Sequence, residues 1–194
     1  MALAPGPRLG QRLGLAIASA TGWKVEVNEP PPARCVIIGA PHTSNWDFLL
    51  ALLFRFASGL DLRWVGKHTL FRWPFGGLMR AWGGIPIDRG KSENFVEQMA
   101  ATFRASDALL VAIAPEGTRS RAAYWRSGFY YIALGAGVPI VLGYADYDRR
   151  AVGLGPTLHP TGDIHADFEV IRAFYAGIKG KKPERQGTVQ VRGS

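Results

Sequence analysis

A histidine and an aspartate stand five positions apart in the stretch "APHTSNWDFLLALLFRF", residues 40–56. His42 follows a proline, and Asp47 lies at the start of an apolar run with helical periodicity. If the chain folds back here, the carboxylate can contact one imidazole nitrogen and leave the other as a proton acceptor, which a general base requires. No G-x-S-x-G motif surrounds Ser44, so the pair predicts activation of a substrate hydroxyl rather than of an enzyme serine.

The same residues also have a purely structural interpretation. The order Ser44-Asn45-Trp46-Asp47 fits the capping-box pattern S-x-x-[DE], in which Ser44 caps a helix and Asp47 bonds back to the Ser44 amide. His42 would then be a turn residue bonded to a backbone group. The stretch by itself leaves both interpretations open.

A second motif, "GGIPIDRG" at residues 83–90, ends a predicted apolar strand with Asp88 and Arg89. Arginine binds phosphate through two parallel N–H donors, and ligands of α/β proteins bind at the carboxyl ends of parallel strands. Arg89 is therefore a candidate phosphate ligand. The alternative is an ordinary Asp–Arg pair on the surface.

A third motif, "AIAPEGTRSR" at residues 112–121, follows another apolar run. Gly117 permits a tight turn with exposed backbone amides, Thr118 can cap the segment that follows, and Arg119 adds positive charge. With the Glu116 carboxylate beside it, this turn is a candidate anion-binding cradle. A plain strand–turn–helix connection is the alternative, and a Walker A loop is excluded because its pattern is absent from the sequence.

Strands and helices that alternate along the chain would position these motifs. Short apolar runs predict strands at Arg34–Ala40, Leu62–Gly66, Gly84–Asp88, Ala108–Ala114 and Val138–Tyr144, with a weaker strand at Leu154–His159. Helices are predicted to begin at Ser44, Ser92, Ser127 and Asp163, and the first of them to end at Gly59. This alternation predicts an α/β fold with a mostly parallel central sheet flanked by helices.

The charge of the chain limits its partners. The formal net charge of the 194 residues is +8, which favours an anionic partner: nucleic acid, a phosphate-bearing substrate or an anionic membrane surface. Residues 172–194 carry six Lys or Arg against one Glu. Residues 61–91 carry six against two Asp, interleaved with Trp64, Phe71, Trp73, Phe75 and Trp82. Aromatic residues among cations suit the headgroup region of a bilayer. We do not expect nucleic acid binding, because no RNP, helix-turn-helix or zinc-finger pattern is present.

The cysteine count also limits the class of protein. Cys35 is the single cysteine, which excludes an internal disulfide framework and the common cysteine-rich zinc sites. It lies in the apolar run "RCVIIGA" and is predicted to be a small core residue.

The motifs occur in the order and spacing of the glycerolipid acyltransferases of the 1-acylglycerol-3-phosphate acyltransferase type, which this chain resembles. The H-x-x-x-x-D hallmark of that family is matched by "HTSNWD", and its second block, a glycine, an apolar stretch and an arginine, by "GGIPIDR". Its third block, F-P-E-G-T-R-S, is matched by "APEGTRS" with Ala114 in place of the phenylalanine, and its apolar V-P-I strand by "GVPIVLG". The resemblance covers residues 33–144.

The resemblance implies an O-acyltransferase. His42 is expected to take the proton from the hydroxyl of a lysophospholipid such as 1-acylglycerol-3-phosphate while Asp47 holds the imidazole. The oxygen would attack an acyl thioester on coenzyme A or acyl carrier protein. The residues expected to bind the acceptor and its phosphate are Arg89, Glu116, Gly117, Thr118 and Arg119. No metal is implied, and no cofactor beyond the acyl-CoA or acyl-ACP co-substrate.

Two departures from the family pattern leave the acceptor lipid open. They are Trp46 in the first block and Pro86-Ile87-Asp88 in the second. Two alternative functions also stay open. The same dyad could activate water, as in a thioesterase or a phospholipase-type hydrolase, or the protein could be a non-catalytic lipid-binding protein.

The chain is predicted to have two segments. Residues 1–30 would form a membrane-associating helix, from Arg8 to Thr21, and an extended linker, and residues 31–194 the acyltransferase domain. No apolar run of about 18 residues is present, so we expect no transmembrane helix. Ala18-Ser19-Ala20 resembles a signal-peptidase site, but an anchor that holds the protein peripherally on the cytoplasmic face of the membrane is the favoured interpretation. The basic tail from residue 179 is predicted to be frayed.

Overall fold

The computed structural model describes residues 9–87 and 92–192. In these ranges the strands are β1 Lys24–Val27, β2 Arg34–Ala40, β3 Leu62–Lys67, β4 Gly84–Ile87, β5 Leu109–Ile113, β6 Ile140–Asp146 and β7 Ala151–Leu158. They form a seven-stranded sheet in the order β1-β7-β6-β2-β5-β3-β4. Neighbouring strands are parallel except β6 and β7, which are antiparallel. The predicted α/β fold with a mostly parallel sheet is confirmed.

Helices flank the sheet. Within the described ranges they are α1 Leu9–Thr21, α2 Trp46–Ser58, α3 Gly76–Ala81, α4 Ser92–Arg104, α5 Gly128–Ala136 and α6 Ile164–Tyr175. Helix α2 ends at Gly59, whose φ of 72° is readily adopted by glycine, as the sequence predicts. Helix α6 is capped by Asp163, whose carboxylate accepts hydrogen bonds from the amides of His165 and Ala166 at 3.1 Å.

The central strand β2 has an unbroken apolar sequence because both of its faces are buried. Cys35 and Ile37 pack on one face of the sheet with residues of α2. Val36 and Ile38 pack on the other face with residues of α4, α5 and α6. A strand that is buried on both faces has no solvent side on which polar residues could alternate. Cys35 is fully buried, as predicted, and this burial raises the pKa of its thiol to about 12.

The N-terminal segment adds more to the fold than the sequence predicts. Residues 24–27 fall in the segment predicted to be only a helix and a linker, yet they form the edge strand β1, which pairs in parallel with β7. Helix α1 packs closely against α2. A Cβ atom on Gly14 would lie only 2.6 Å from the backbone nitrogen of Ala57, so this position has room for glycine alone. Arg8, the predicted first residue of this helix, lies outside the described residues. Among the described helices, none is both long and apolar enough to cross a membrane.

The basic tail, predicted to be frayed, packs onto the domain instead. Residues 176–192, here called the C-terminal strap, run back to the loop that follows β2. The Lys182 amide donates to the Thr43 hydroxyl at 3.2 Å, and the Trp125 amide donates to the Gln190 carbonyl at 2.8 Å. These contacts bind the strap to two loops at the same edge of the sheet.

Candidate active site

Three loops meet where β2, β5 and β6 end, because these strands are parallel neighbours. Residues 41–45, here called the histidine loop, follow β2 and include His42. Residues 114–127 follow β5 and include most of the third motif, and residues 147–150 follow β6. Beside them opens a cleft of about 1640 Å³. His42 and Asp47 both line this cleft. The sheet topology therefore brings the first and third motifs together.

His42 and Asp47 face each other. The distance between His42 Nδ1 and Asp47 Oδ2 is 3.5 Å, at the outer limit of a hydrogen bond. Bonds of this kind are often long in an unliganded enzyme and tighten when substrate binds. The imidazole is about a quarter exposed and the carboxylate is buried, so the ring can reach a ligand while Asp47 stays behind it.

The Asp47 carboxylate is held by donors on both oxygens. Oδ2 accepts the amides of Thr43 and Ser44, each at 2.7 Å. Oδ1 accepts the hydroxyl of Tyr147, also at 2.7 Å. Burial acts to raise the pKa of Asp47, but the bonds from His42, Tyr147 and the two amides outweigh it, so the pKa is lower than usual. Asp47 is therefore ionised at neutral pH.

The capping-box interpretation is half right. Asp47 bonds back to the Ser44 amide as that pattern requires. Helix α2, however, begins at Trp46, its N-cap residue is Asn45, and no side chain caps it. The Ser44 hydroxyl accepts only the Trp46 amide, at 3.3 Å. The prediction that Ser44 caps the helix is wrong, because the loop folds around the Asp47 carboxylate before the helix begins.

Glu116 is turned into the protein. One carboxylate oxygen accepts the backbone amide of His42 at 2.6 Å, and the other is buried without a hydrogen-bond partner. The residue lines a separate cavity of about 180 Å³ behind the loop rather than the main cleft. Burial raises its pKa to about 7. The contacts with His42 lower this pKa, and the charge of Asp47 raises it slightly. In this structure Glu116 holds the histidine loop, and its contact with the acceptor stays a prediction.

Gly117, Thr118 and Arg119 of the third motif line the cleft. Gly117 has a φ of 66°, and a Cβ atom there would lie 2.7 Å from the Arg126 side chain, so glycine fits this turn. The Thr118 hydroxyl accepts the Ser120 amide at 3.2 Å. Arg119 donates to the Asn45 side chain and so connects the third motif to the first. The predicted proximity of the two motifs is thus present, while their binding of a ligand stays a prediction.

Part of the second motif cannot be placed in this cleft. Arg89 and Asp88 lie outside the described residues, and the predicted phosphate contact of Arg89 stays a prediction. Ile87, the last described residue before them, lines the cleft. Among the described residues, no group of three or more His, Cys, Asp or Glu side chains is arranged to hold a metal ion.

Two residues at the site were not found from the sequence. Tyr147 directly follows β6, and only the strand order, which puts β6 beside β2, would have indicated that it meets Asp47. Lys181 of the C-terminal strap holds its ammonium group 4.3 Å from the centre of the Trp46 ring. Trp46 was noted as a departure inside the first block, and it is 56% exposed beside that cation.

Comparisons with known proteins identify a family and a fold. A family model described as Acyltransferase matches residues 23–141, more than half of the chain. The crystal structure of the 1-acyl-sn-glycerophosphate (LPA) acyltransferase PlsC from Thermotoga maritima aligns with a TM-score of 0.57 and 19% identity, covering 87% of this chain and 76% of that one. At this identity the match shows a shared fold. No curated protein matches.

Proposed function

This chain belongs to the acyltransferase family, and on that premise we propose that it is an O-acyltransferase acting on a lysophospholipid such as 1-acylglycerol-3-phosphate. The acyl group would come from a thioester, on coenzyme A or on acyl carrier protein. The observation that carries the proposal is the His42–Asp47 pair: a buried, ionised carboxylate lies behind an imidazole that lines a large cleft.

In the proposed reaction His42 is the general base. Asp47 faces Nδ1, which fixes the proton on that nitrogen and leaves Nε2 as the acceptor. Nε2 takes the hydroxyl proton of the acceptor as its oxygen attacks the thioester carbonyl. The tetrahedral intermediate collapses, the carbon–sulfur bond breaks, and the imidazolium returns the proton to the leaving thiolate. No covalent acyl-enzyme is required.

The charge of the cleft supports a phosphate-bearing substrate. Among the described residues that line it, Asp47 is the only carboxylate, whereas the cations are Lys67, Arg119, Arg126, Arg185 and Arg192. This excess of cations over carboxylates suits the phosphate of a lysophosphatidate or of coenzyme A. The acceptor proposal is also supported by the solved acyltransferase of the same fold, whose name gives 1-acyl-sn-glycerophosphate as its substrate.

We also propose that the protein binds the membrane peripherally, on its cytoplasmic face. Trp73 is 93% exposed and Phe75 is 64% exposed, next to the exposed Arg72. Leu70, beside them, also lines the cleft, so this tip would lie where a lysolipid enters. Not all predicted interfacial aromatics contribute, since Phe71 is buried.

A second exposed apolar surface supports the same membrane proposal. Leu9, Leu13 and Ile17, spaced four residues apart on α1, are exposed, as is Leu15, whereas Gly14 of the same helix packs on α2. Exposed apolar residues on a helix and aromatic residues beside cations both suit the interfacial region of a bilayer.

A thiol-release assay tests the proposed reaction. Purified protein is mixed with palmitoyl-CoA and with each of several lysophospholipids, beside the His42→Ala variant. We expect release only when a lysophospholipid is present, and a rate about 10²–10⁴-fold lower for His42→Ala. Product analysis by mass spectrometry identifies the acylated lipid.

Other outcomes would redirect the proposal. Thiol release with free fatty acid and no acceptor would indicate a hydrolase. No thiol release from acyl-CoA but turnover with acyl-ACP would identify acyl-ACP as the donor. No turnover with either donor would contradict the proposed reaction.

A further inference from the structure

Tyr147 lies behind the catalytic pair rather than in the cleft. It is the first residue after β6, and its hydroxyl donates to Asp47 Oδ1 at 2.7 Å. It is not among the described residues that line the cleft. Tyr147 therefore touches the residue that supports the base, while a substrate in the cleft would not contact it.

The four donors around Asp47 are divided between its two oxygens. The amides of Thr43 and Ser44 and the His42 ring all face Oδ2. Tyr147 is the donor on Oδ1. Without it, the carboxylate could turn about its terminal torsion and present either oxygen to the amides. With it, the plane of the carboxylate is fixed and Oδ2 stays directed at His42.

Tyr147 is itself held from two sides. The Trp23 ring lies edge-on against it, with the ring centres 5.1 Å apart and the planes at 86°. Trp23 joins α1 to β1, and its amide donates to the Ala18 carbonyl at 2.9 Å. On the other side, the Tyr147 amide donates to the Lys179 carbonyl of the C-terminal strap at 2.9 Å. The N-terminal segment thus contacts the ring of Tyr147, and the C-terminal strap holds its backbone.

The phenol acts only as a donor. Burial, the hydrogen bond to Asp47 and the charge of Asp47 all raise the pKa of Tyr147, so its hydroxyl stays protonated at neutral pH. The other titratable groups that face Asp47 are His42 and, through the histidine loop, Glu116. None of these can replace the donor on Oδ1, since Glu116 is bonded to the His42 amide.

We infer that Tyr147 is a positioning residue for acyl transfer: its hydroxyl fixes the Asp47 carboxylate so that Oδ2 orients the His42 ring. This inference rests on the proposed role of His42 as the general base. Its chemical consequence is that the geometry of the base depends on a residue 100 positions from Asp47.

The Tyr147→Phe variant tests this role. We expect kcat to fall about ten- to a hundredfold, with KM for both substrates unchanged, because a misplaced base slows the chemical step without altering the cleft. We also expect the acid limb of the kcat–pH profile to move to higher pH. The Tyr147 hydrogen bond helps to lower the pKa of Asp47, so without it the Asp47 carboxylate takes up a proton at higher pH.

Tyr130→Phe is the matched control. Tyr130 is fully buried and its hydroxyl donates to Asp167 at the same distance, 2.7 Å, but it does not line the cleft. This variant also loses a tyrosine–aspartate bond, yet it should keep the kcat and the pH profile of the wild type. A similar loss of kcat in both variants would indicate a general effect of destabilisation and would overturn the inference.

A double-mutant cycle with Asp47→Ala completes the test. If Tyr147 acts through Asp47, removing its hydroxyl in the Asp47→Ala background should change the residual rate less than twofold. Equal fold losses in the two backgrounds, or a Tyr147→Phe enzyme with wild-type kcat and pH profile, would overturn the inference. Failure of the proposed function is distinguishable, since the wild type would then transfer no acyl group or His42→Ala would keep full activity.

Discussion

At the residue scale, the two acidic side chains near His42 have opposite environments. Asp47 receives donors on both oxygens, and its pKa is lower than usual despite its burial. Glu116 receives the His42 amide on one oxygen and nothing on the other, and burial raises its pKa to about 7. One carboxylate is thus kept charged behind the His42 imidazole, and the other is kept largely protonated below neutral pH.

This difference predicts how stability depends on pH. Because the folded-state pKa of Glu116 is raised from 4.5 to about 7, the unfolded chain loses this proton first as the pH rises. Ionisation of Glu116 should therefore lower the free energy of unfolding between about pH 4.5 and 7. A shift of this size corresponds to roughly 3 kcal/mol at most. Glu116→Gln removes the titrating group and can still accept the His42 amide.

Urea denaturation at several pH values checks this prediction. The free energy of unfolding of Glu116→Gln, relative to the wild type, should rise steadily from pH 4.5 to 7. Glu29→Gln, at an exposed position, is the matched control and should follow the wild type. If the free energies of unfolding of Glu116→Gln and the wild type change in parallel with pH, the pKa of Glu116 is not raised by burial.

The sequence was informative about which residues gather at this site and less so about how they point. The family resemblance carried by the motifs predicted that His42, Asp47 and residues 116–119 share one site, whereas the spacing of His42 and Asp47 alone left a helix cap open. The orientation of Glu116, away from the main cleft, depends on the depth of the β5 loop, which no local pattern encodes. Tyr147 was missed because its partner is distant in sequence and only the pairing of β6 with β2 brings them together.

At the element scale, helices α1 and α2 meet at a glycine. Gly14 is buried, and a Cβ atom there would lie 2.6 Å from the Ala57 nitrogen and 3.0 Å from its Cα. These are backbone atoms, which cannot move aside as a flexible side chain can. Gly10, one turn earlier on the same helix, would place a Cβ atom at 3.5 Å from the Phe56 ring, an ordinary contact.

Alanine at these two positions should therefore have opposite effects. Both changes gain helix propensity, about 1 kcal/mol. Gly10→Ala should keep or slightly raise the free energy of unfolding. Gly14→Ala should lower it by about 1–3 kcal/mol, because the helices must separate. Thermal or chemical denaturation measures both, and equal shifts for the two variants would exclude close packing at Gly14.

The elements that the sequence predicted are those with strong patterns. Strands β2, β5 and β6 are apolar runs bounded by turn residues, and the caps at Gly59 and Asp163 are local features. Strand β1 was missed because its four residues, Lys-Val-Glu-Val, are too few and too polar to separate from a linker. The C-terminal strap was predicted to be frayed from its composition, whereas its order comes from contacts with loops far away in the chain.

At the scale of the whole molecule, the exposed tip around Trp73 should decide membrane affinity. Changing Trp73 and Phe75 together to serine removes the two most exposed aromatic side chains of residues 61–87 without opening the core. We expect the partition coefficient for vesicles of phosphatidylglycerol and phosphatidylethanolamine to fall at least about tenfold, since burying each such side chain contributes about 1.5–3 kcal/mol when complete.

Vesicle sedimentation measures this partition. Val170→Ser, which removes an exposed apolar side chain from α6, is the control and should bind vesicles as the wild type does. Unchanged partition of the Trp73, Phe75 variant would exclude this tip as a membrane contact.

The contact between Thr43 and the C-terminal strap also has a consequence for biosynthesis. The two bonded residues, Thr43 and Lys182, are 139 positions apart. A ribosome adding about 5–20 residues per second needs about 7–28 seconds between them. During translation the histidine loop is therefore synthesised well before the strap residue Lys182 that contacts it. A nascent chain that stalls before residue 179 would carry every family motif and still lack the strap contacts that support the histidine loop.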